Sequence, residues 1–101
     1  MSVDAAILDE DARLDAAVAI LARLVAFPTV SADSNLPLID YVRGLLASHG
    51  VASELFPNEA GTKASLWATI GVADRPGLVL SGHTDVVPVA GQAWTRPPFE
   101  L

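Results

Sequence analysis

A histidine and an aspartate stand two residues apart in Ser81-Gly82-His83-Thr84-Asp85-Val86-Val87-Pro88, directly after the apolar run Leu78-Val79-Leu80. In extended backbone, residues at this spacing project to the same side, so His83 and Asp85 can face one site with Thr84 turned away. A neutral imidazole is a common zinc ligand, and a ligating histidine usually donates its other ring N–H to an acceptor. A nearby carboxylate fills that role: it fixes the tautomer, orients the ring and makes the metal-facing nitrogen a better donor. Gly82 is expected to let the backbone approach closely, and Pro88 to fix the path of the loop. His-x-Asp taken alone also fits a surface or capped histidine at a strand end, so the residues by themselves leave both readings open.

The elements that must position this pair are read from hydrophobic period and punctuation. A helix is expected over 9–26, where Leu14, Val18, Leu21 and Val25 recur at intervals of three or four and Ala17 and Leu24 widen the stripe. Acidic residues crowd its first turn, as the helix dipole favours, and Phe27-Pro28 ends it. Residues 29–34 read as a loop. A second helix follows Asn35 as N-cap, with Pro37 in its first turn, an apolar face of Leu38, Ile39, Val42, Leu45 and Leu46, and Ser48-His49-Gly50 as its close. The period then changes to two. Residues 51–56 and 64–70 read as antiparallel strands joined by a turn-rich connection, and residues 78–81, apolar on both faces, as a third and central strand. Residues 84–101 read as an ordered loop. The expected fold class is α/β: two amino-terminal helices, a β-hairpin and a central strand. In open α/β sheets ligands gather beyond the carboxyl ends of strands, which is where the His83–Asp85 pair would lie.

Composition narrows the partners. The 101 residues suit one modest domain or a piece of a larger one, and a hydrophobic fraction of 51% suggests that some apolar surface is meant to meet further parts of a chain. The formal charge is −6; the arginines at 13, 23, 43, 75 and 96 are scattered, and Lys63 is the only lysine, so no nucleic-acid partner is expected. With no cysteine there is no disulfide and no thiolate site, so any metal must use imidazole and carboxylate. That absence is also compatible with the cytosol. The apolar segment 16–27 follows Asp4, Asp9, Glu10, Asp11 and Asp15, where a signal peptide needs positive charge. It is too short to span a bilayer and Arg23 interrupts it, so it reads as the buried face of a soluble helix, with no membrane partner.

The stretch Leu78-Val79-Leu80-Ser81-Gly82-His83-Thr84-Asp85-Val86-Val87-Pro88, with Gly91-Gln92-Ala93-Trp94 and Pro98-Phe99 after it, resembles the first metal motif of the zinc-dependent amidohydrolases and exopeptidases related to acetylornithine deacetylase. Upstream, Leu24-Val25-Ala26-Phe27-Pro28-Thr29-Val30-Ser31 looks like that family's first helix exit, and Ser34-Asn35-Leu36 like its second helix entry. By this resemblance residues 1–101 form the amino-terminal part of a metallohydrolase catalytic domain, without the lid domain through which family members often form homodimers. His83 would bind one ion of a one- or two-metal centre, zinc or sometimes cobalt, and Asp85 would be the catalytic aspartate bonded to it. The resemblance implies a cytoplasmic enzyme that hydrolyses a small N-acyl amino acid by water attack on the amide carbonyl, with a glutamate as general base. N-acetyl-ornithine, giving ornithine and acetate in arginine biosynthesis, is the first expectation. Desuccinylation of succinyl-diaminopimelate or dipeptide cleavage is the alternative within the same chemistry. Ala90, where an acidic residue is expected, and Arg96-Pro97 depart from the pattern and bear on the substrate.

The family's remaining ligands and its general base have no matching positions here, and local residues do not replace them. Zinc sites take at least three protein ligands. His49 beside Gly50 reads as a helix cap, Glu54 and Glu59 as strand and turn residues, Asp33 and Asp40 as solvated surface, Trp67 as core and Trp94 as packing for the loop. The chain alone is therefore expected to be nearly inactive. A third reading is a non-catalytic remnant acting through protein contacts at Trp94-Thr95-Arg96-Pro97-Pro98-Phe99.

Overall fold

The computed structural model describes residues 9–101, so Asp4 lies outside the described residues. It contains helix α1 (Glu10–Ala26), helix α2 (Leu36–Ser48) and strands β1 (Ser53–Pro57) and β2 (Ala64–Ala68), which make the fold α/β. The chain divides into two compact units: one takes in α1 through Pro28 together with Gly91–Leu101, the other is Thr29–Ala90.

In the first unit, α1 begins where Asp9 accepts a hydrogen bond from the Ala12 N–H at 2.7 Å. This satisfies one of the donors that a helix start leaves orphaned, and Glu10 and Asp11 complement the dipole. Phe27 is extended (φ −81, ψ 116) ahead of Pro28, and the Arg23 guanidinium lies 5.9 Å from the centre of its ring. The apolar stripe of α1 has the expected spacing but not the expected burial. No α1 residue is buried, and Leu14 is 61% exposed. Helical period records which face a helix can bury; it does not supply the surface that buries it.

The second unit holds the core. Leu38 and Ile39 of α2 and Ala64 of β2 are its buried apolar residues, and Thr29 is its buried polar residue. α2 ends in a Schellman arrangement. Gly50 (φ +74) donates to Ala47 O at 2.9 Å and Val51 to Leu46 O at 3.0 Å, with His49 at the cap as its position predicts. β1 and β2 pair antiparallel in the register Ser53 to Ala68, Leu55 to Leu66 and Pro57 to Ala64. Asn58 closes the connection, its side-chain oxygen accepting from the N–H groups of Thr62 and Lys63 at 2.9 and 3.1 Å.

Two further expectations are corrected here. Trp67 is not core: it is half exposed, because strand alternation puts Ala64, Leu66 and Ala68 on the face toward α2 and Trp67 on the other, opposite Glu54. Residues 78–81 do not form the central strand. They join no ladder among the described residues, and Leu78 and Leu80 are 95% and 94% exposed. An apolar run of this kind is a strand only when neighbours accept and donate along both edges. Among the described residues no helix is long and apolar enough to cross a membrane.

Candidate functional site

The segment that carries the motif is held by the stretch read from sequence as a loop. Val30 and Val86 form an isolated parallel bridge, in which Ser31 N–H donates to Val86 O and Val86 N–H donates to Thr29 O, both at 3.0 Å. The Thr29 hydroxyl adds a bond to Thr84 O at 2.5 Å, so a buried polar group is satisfied by the backbone it anchors. These contacts join positions 55–57 apart in the chain, and sequence reading missed them. The β-branched pair Thr29-Val30 is the one local signal for strand-like pairing there.

Asn35 supplies the second anchor. It stands at the N-cap of α2 but makes no capping bond; the Ser34 hydroxyl accepts the Leu36 N–H instead, at 3.1 Å. The Asn35 amide turns to other elements. Its oxygen accepts from Ala64 N–H at 3.0 Å, and its nitrogen donates to Ala64 O at 2.9 Å and to Thr84 Oγ1 at 3.0 Å. Because a backbone N–H only donates and a carbonyl only accepts, this pattern fixes which end of the amide is which. One side chain thus ties α2, β2 and the motif together.

On this support His83 and Asp85 meet as their spacing predicts. His83 Nδ1 lies 2.8 Å from Asp85 Oδ1 and 3.0 Å from Asp85 O. Both neighbours are acceptors, so Nδ1 carries the proton and Nε2 of the neutral ring is left with its lone pair. The His83 side chain is 84% exposed and that of Asp85 54%. The other carboxylate oxygen, Oδ2, accepts from the Ser31 hydroxyl at 2.7 Å. Thr84 faces Asn35 rather than the pair, as alternation requires. A Cβ at Gly82 would meet no protein atom within 4 Å, and its φ is not positive. The motif residues line one part of a groove of about 640 Å³, whose other walls include Leu38, Ile39 and Val42 of α2 and Phe56 and Leu66 of the hairpin.

The Ser31 hydroxyl, and after it the His83 ring, hold the Asp85 carboxyl below its ordinary value of 3.8, against a smaller upward push from desolvation. Because the folded value is depressed, the stabilisation is fully present above 3.8 and is lost as the pH falls through the folded value. Carbon NMR of the Asp85 carboxyl should place its midpoint below 3.8; a midpoint at or above that value would contradict the observed geometry.

The donor set fits one vertex of a metal centre. Nε2 of His83 is left with an oriented lone pair of the kind a metal ion would take, and Asp85 holds the ring from its other nitrogen. Among the described residues no group of three or more His, Cys, Asp or Glu side chains could hold a metal ion. His49 is at the helix cap, and Glu54, Glu59, Asp33 and Asp40 are exposed away from any such cluster.

The sequence is 39% identical over 85 residues to a protein named acetylornithine deacetylase from Pasteurella multocida (strain Pm70), covering 77% of this chain and 22% of the relative. Against the protein of that name from Edwardsiella ictaluri (strain 93-146) the identity is 36% over 96 residues, covering 88% of this chain and 25% of the relative. Against that from Pectobacterium carotovorum subsp. carotovorum (strain PC1) it is 40% over 86 residues, with 77% and 22% covered. The chain thus spans about a quarter or less of the length of these relatives. No protein-family model and no solved structure matches it.

Proposed function

From the premise that this chain resembles the acetylornithine deacetylases over most of its own length, we propose that it supplies the first metal motif of a metal-dependent amidohydrolase that cleaves an N-acyl amino acid. The acyl substrate is N-acetyl-ornithine, the products are ornithine and acetate, and the setting is cytoplasmic arginine biosynthesis. The relatives' name supports that substrate. The observation that carries the reading is the 2.8 Å contact between His83 Nδ1 and Asp85 Oδ1, which leaves Nε2 as the free ring nitrogen.

In this reading His83 is a metal ligand through Nε2, and Asp85 holds the ring in the ligating tautomer. Zinc, or cobalt in its place, supplies Lewis acidity at the amide carbonyl when bound. Ser31, Thr29 and Asn35 keep the motif segment in place. The remaining ligands and the general base come from the rest of an enzyme about four times as long, and a homodimer, as family members often form, is its assembly.

The test replaces the matched stretch of a full-length relative with this chain and compares the chimera with the 101-residue chain for zinc stoichiometry and N-acetyl-ornithine turnover. The chimera should bind zinc and hydrolyse the substrate, and the chain alone should do neither. Turnover by the chain alone would show its site to be complete. A zinc-loaded chimera that cleaves succinyl-diaminopimelate or a dipeptide, and not N-acetyl-ornithine, would move the substrate assignment. A chimera that folds but binds no zinc would favour a non-catalytic chain.

A further inference from the structure

We propose that Ser31 is a positioning residue for the His83–Asp85 pair, its hydroxyl pinning the far oxygen of the Asp85 carboxylate so that the near oxygen stays on Nδ1. The inference deepens the metal-ligand reading of His83 and rests on it for its functional meaning, though its geometry stands apart from any metal.

A carboxylate held by one oxygen alone can rotate about its last bond and exchange that oxygen for water, especially with a side chain 54% exposed. Here both oxygens are engaged: Oδ1 by the ring at 2.8 Å and Oδ2 by the Ser31 hydroxyl at 2.7 Å. The hydroxyl oxygen also lies 3.2 Å from Val86 O, so its single proton has two acceptors, of which the carboxylate is the nearer and the charged one. Ser31 itself is fixed. Its N–H donates to Val86 O, and its carbonyl accepts from the Lys63 ammonium. A serine held at its own backbone by the segment that carries Asp85, and by the chain's only lysine, presents its hydroxyl at a set place. The ring then has a fixed acceptor on the Nδ1 side, which keeps Nε2 unprotonated in the neutral imidazole.

Nitrogen NMR of the histidine rings reads this directly, without metal, at about pH 8, above the range in which a free imidazole titrates. His83 of the unaltered chain should be mostly in the Nδ1–H tautomer. Ser31→Ala should lower its ratio of Nδ1–H to Nε2–H by about three- to tenfold, the scale of one net hydrogen bond. Ser31→Thr, which keeps the hydroxyl, should restore the ratio. His49, at the cap of α2 in the same unit, is the internal reference and should not change. If Ser31→Ala disrupts the fold, seen as a change at His49, then Ser31→Cys carries the same test with a weaker donor of similar size, and its ratio should fall in the same direction. An unchanged His83 ratio in the folded alanine or cysteine variant overturns the proposal, and so does a folded threonine variant that fails to restore it. Because no zinc and no substrate enter this measurement, a negative result here is distinct from an inactive chimera, which bears on the proposed function alone.

Discussion

Replacing His83 by alanine in the chimera is expected to cut zinc affinity and N-acetyl-ornithine turnover by more than about 100-fold. Replacing Asp85 by alanine should cost about 10- to 100-fold, the range typical of an outer-shell partner of a ligating histidine. The order matters more than the sizes. Alanine at 83 removes the nitrogen ligand itself. Alanine at 85 leaves the imidazole and the backbone acceptor at 3.0 Å but removes the nearer, charged partner at 2.8 Å, so the ring is held less firmly in one orientation and tautomer. Asp85→Asn sharpens the comparison. The amide oxygen can still accept from Nδ1–H but carries no charge, so zinc binding should be better kept than in Asp85→Ala. Zinc titration and steady-state turnover on the three variants check this. If His83→Ala keeps zinc occupancy and rate, the assignment of His83 as a ligand is wrong. If Asp85→Ala costs as much as His83→Ala, the aspartate is more than an orienting partner.

The largest expected effect on stability belongs to Asn35. Its side chain makes three hydrogen bonds to two other segments, two of them to the backbone of Ala64, which is only 7% exposed. Each such bond contributes about 0.5–1.5 kcal/mol net, and a buried group left without a partner adds a penalty of its own, so Asn35→Ala should cost about 2–4 kcal/mol in urea unfolding. Loss of capping does not enter, because the Asn35 side chain does not cap α2. Asn35→Asp isolates the donors. The carboxylate keeps an acceptor for Ala64 N–H but cannot donate to Ala64 O or Thr84 Oγ1; the Thr84 hydroxyl can turn to donate to it, but a negative charge then stands beside the Ala64 carbonyl, which only accepts. It should therefore be destabilised despite its near-identical shape. Wild-type stability in the aspartate variant would show that the amide is not the clamp its distances describe.

Much was legible in the chain. Asp9 ahead of an acidic first turn, Phe27 before Pro28, and His49-Gly50 after an apolar stripe all state local backbone preferences, and α1 and α2 begin and end where those residues put them. The period of two gave the hairpin within a few residues. The His83–Asp85 contact was legible for the same reason, since i and i+2 in extended chain must share a side. Such features involve residues close in sequence, whose geometry the backbone itself dictates.

What the tertiary structure decided lies across long separations. Nothing local to Ser31 announces that its hydroxyl reaches an aspartate 54 positions on, or that Asn35 will leave its cap to hold a residue 29 positions away. The apolar patterns of α1 and of residues 78–81 mark surface able to be buried, and the structure leaves both largely exposed. Hydrophobic period is a property of one segment, while burial is a property of a segment and its partner. The chain could declare the first, and only its folded contacts could assign the second.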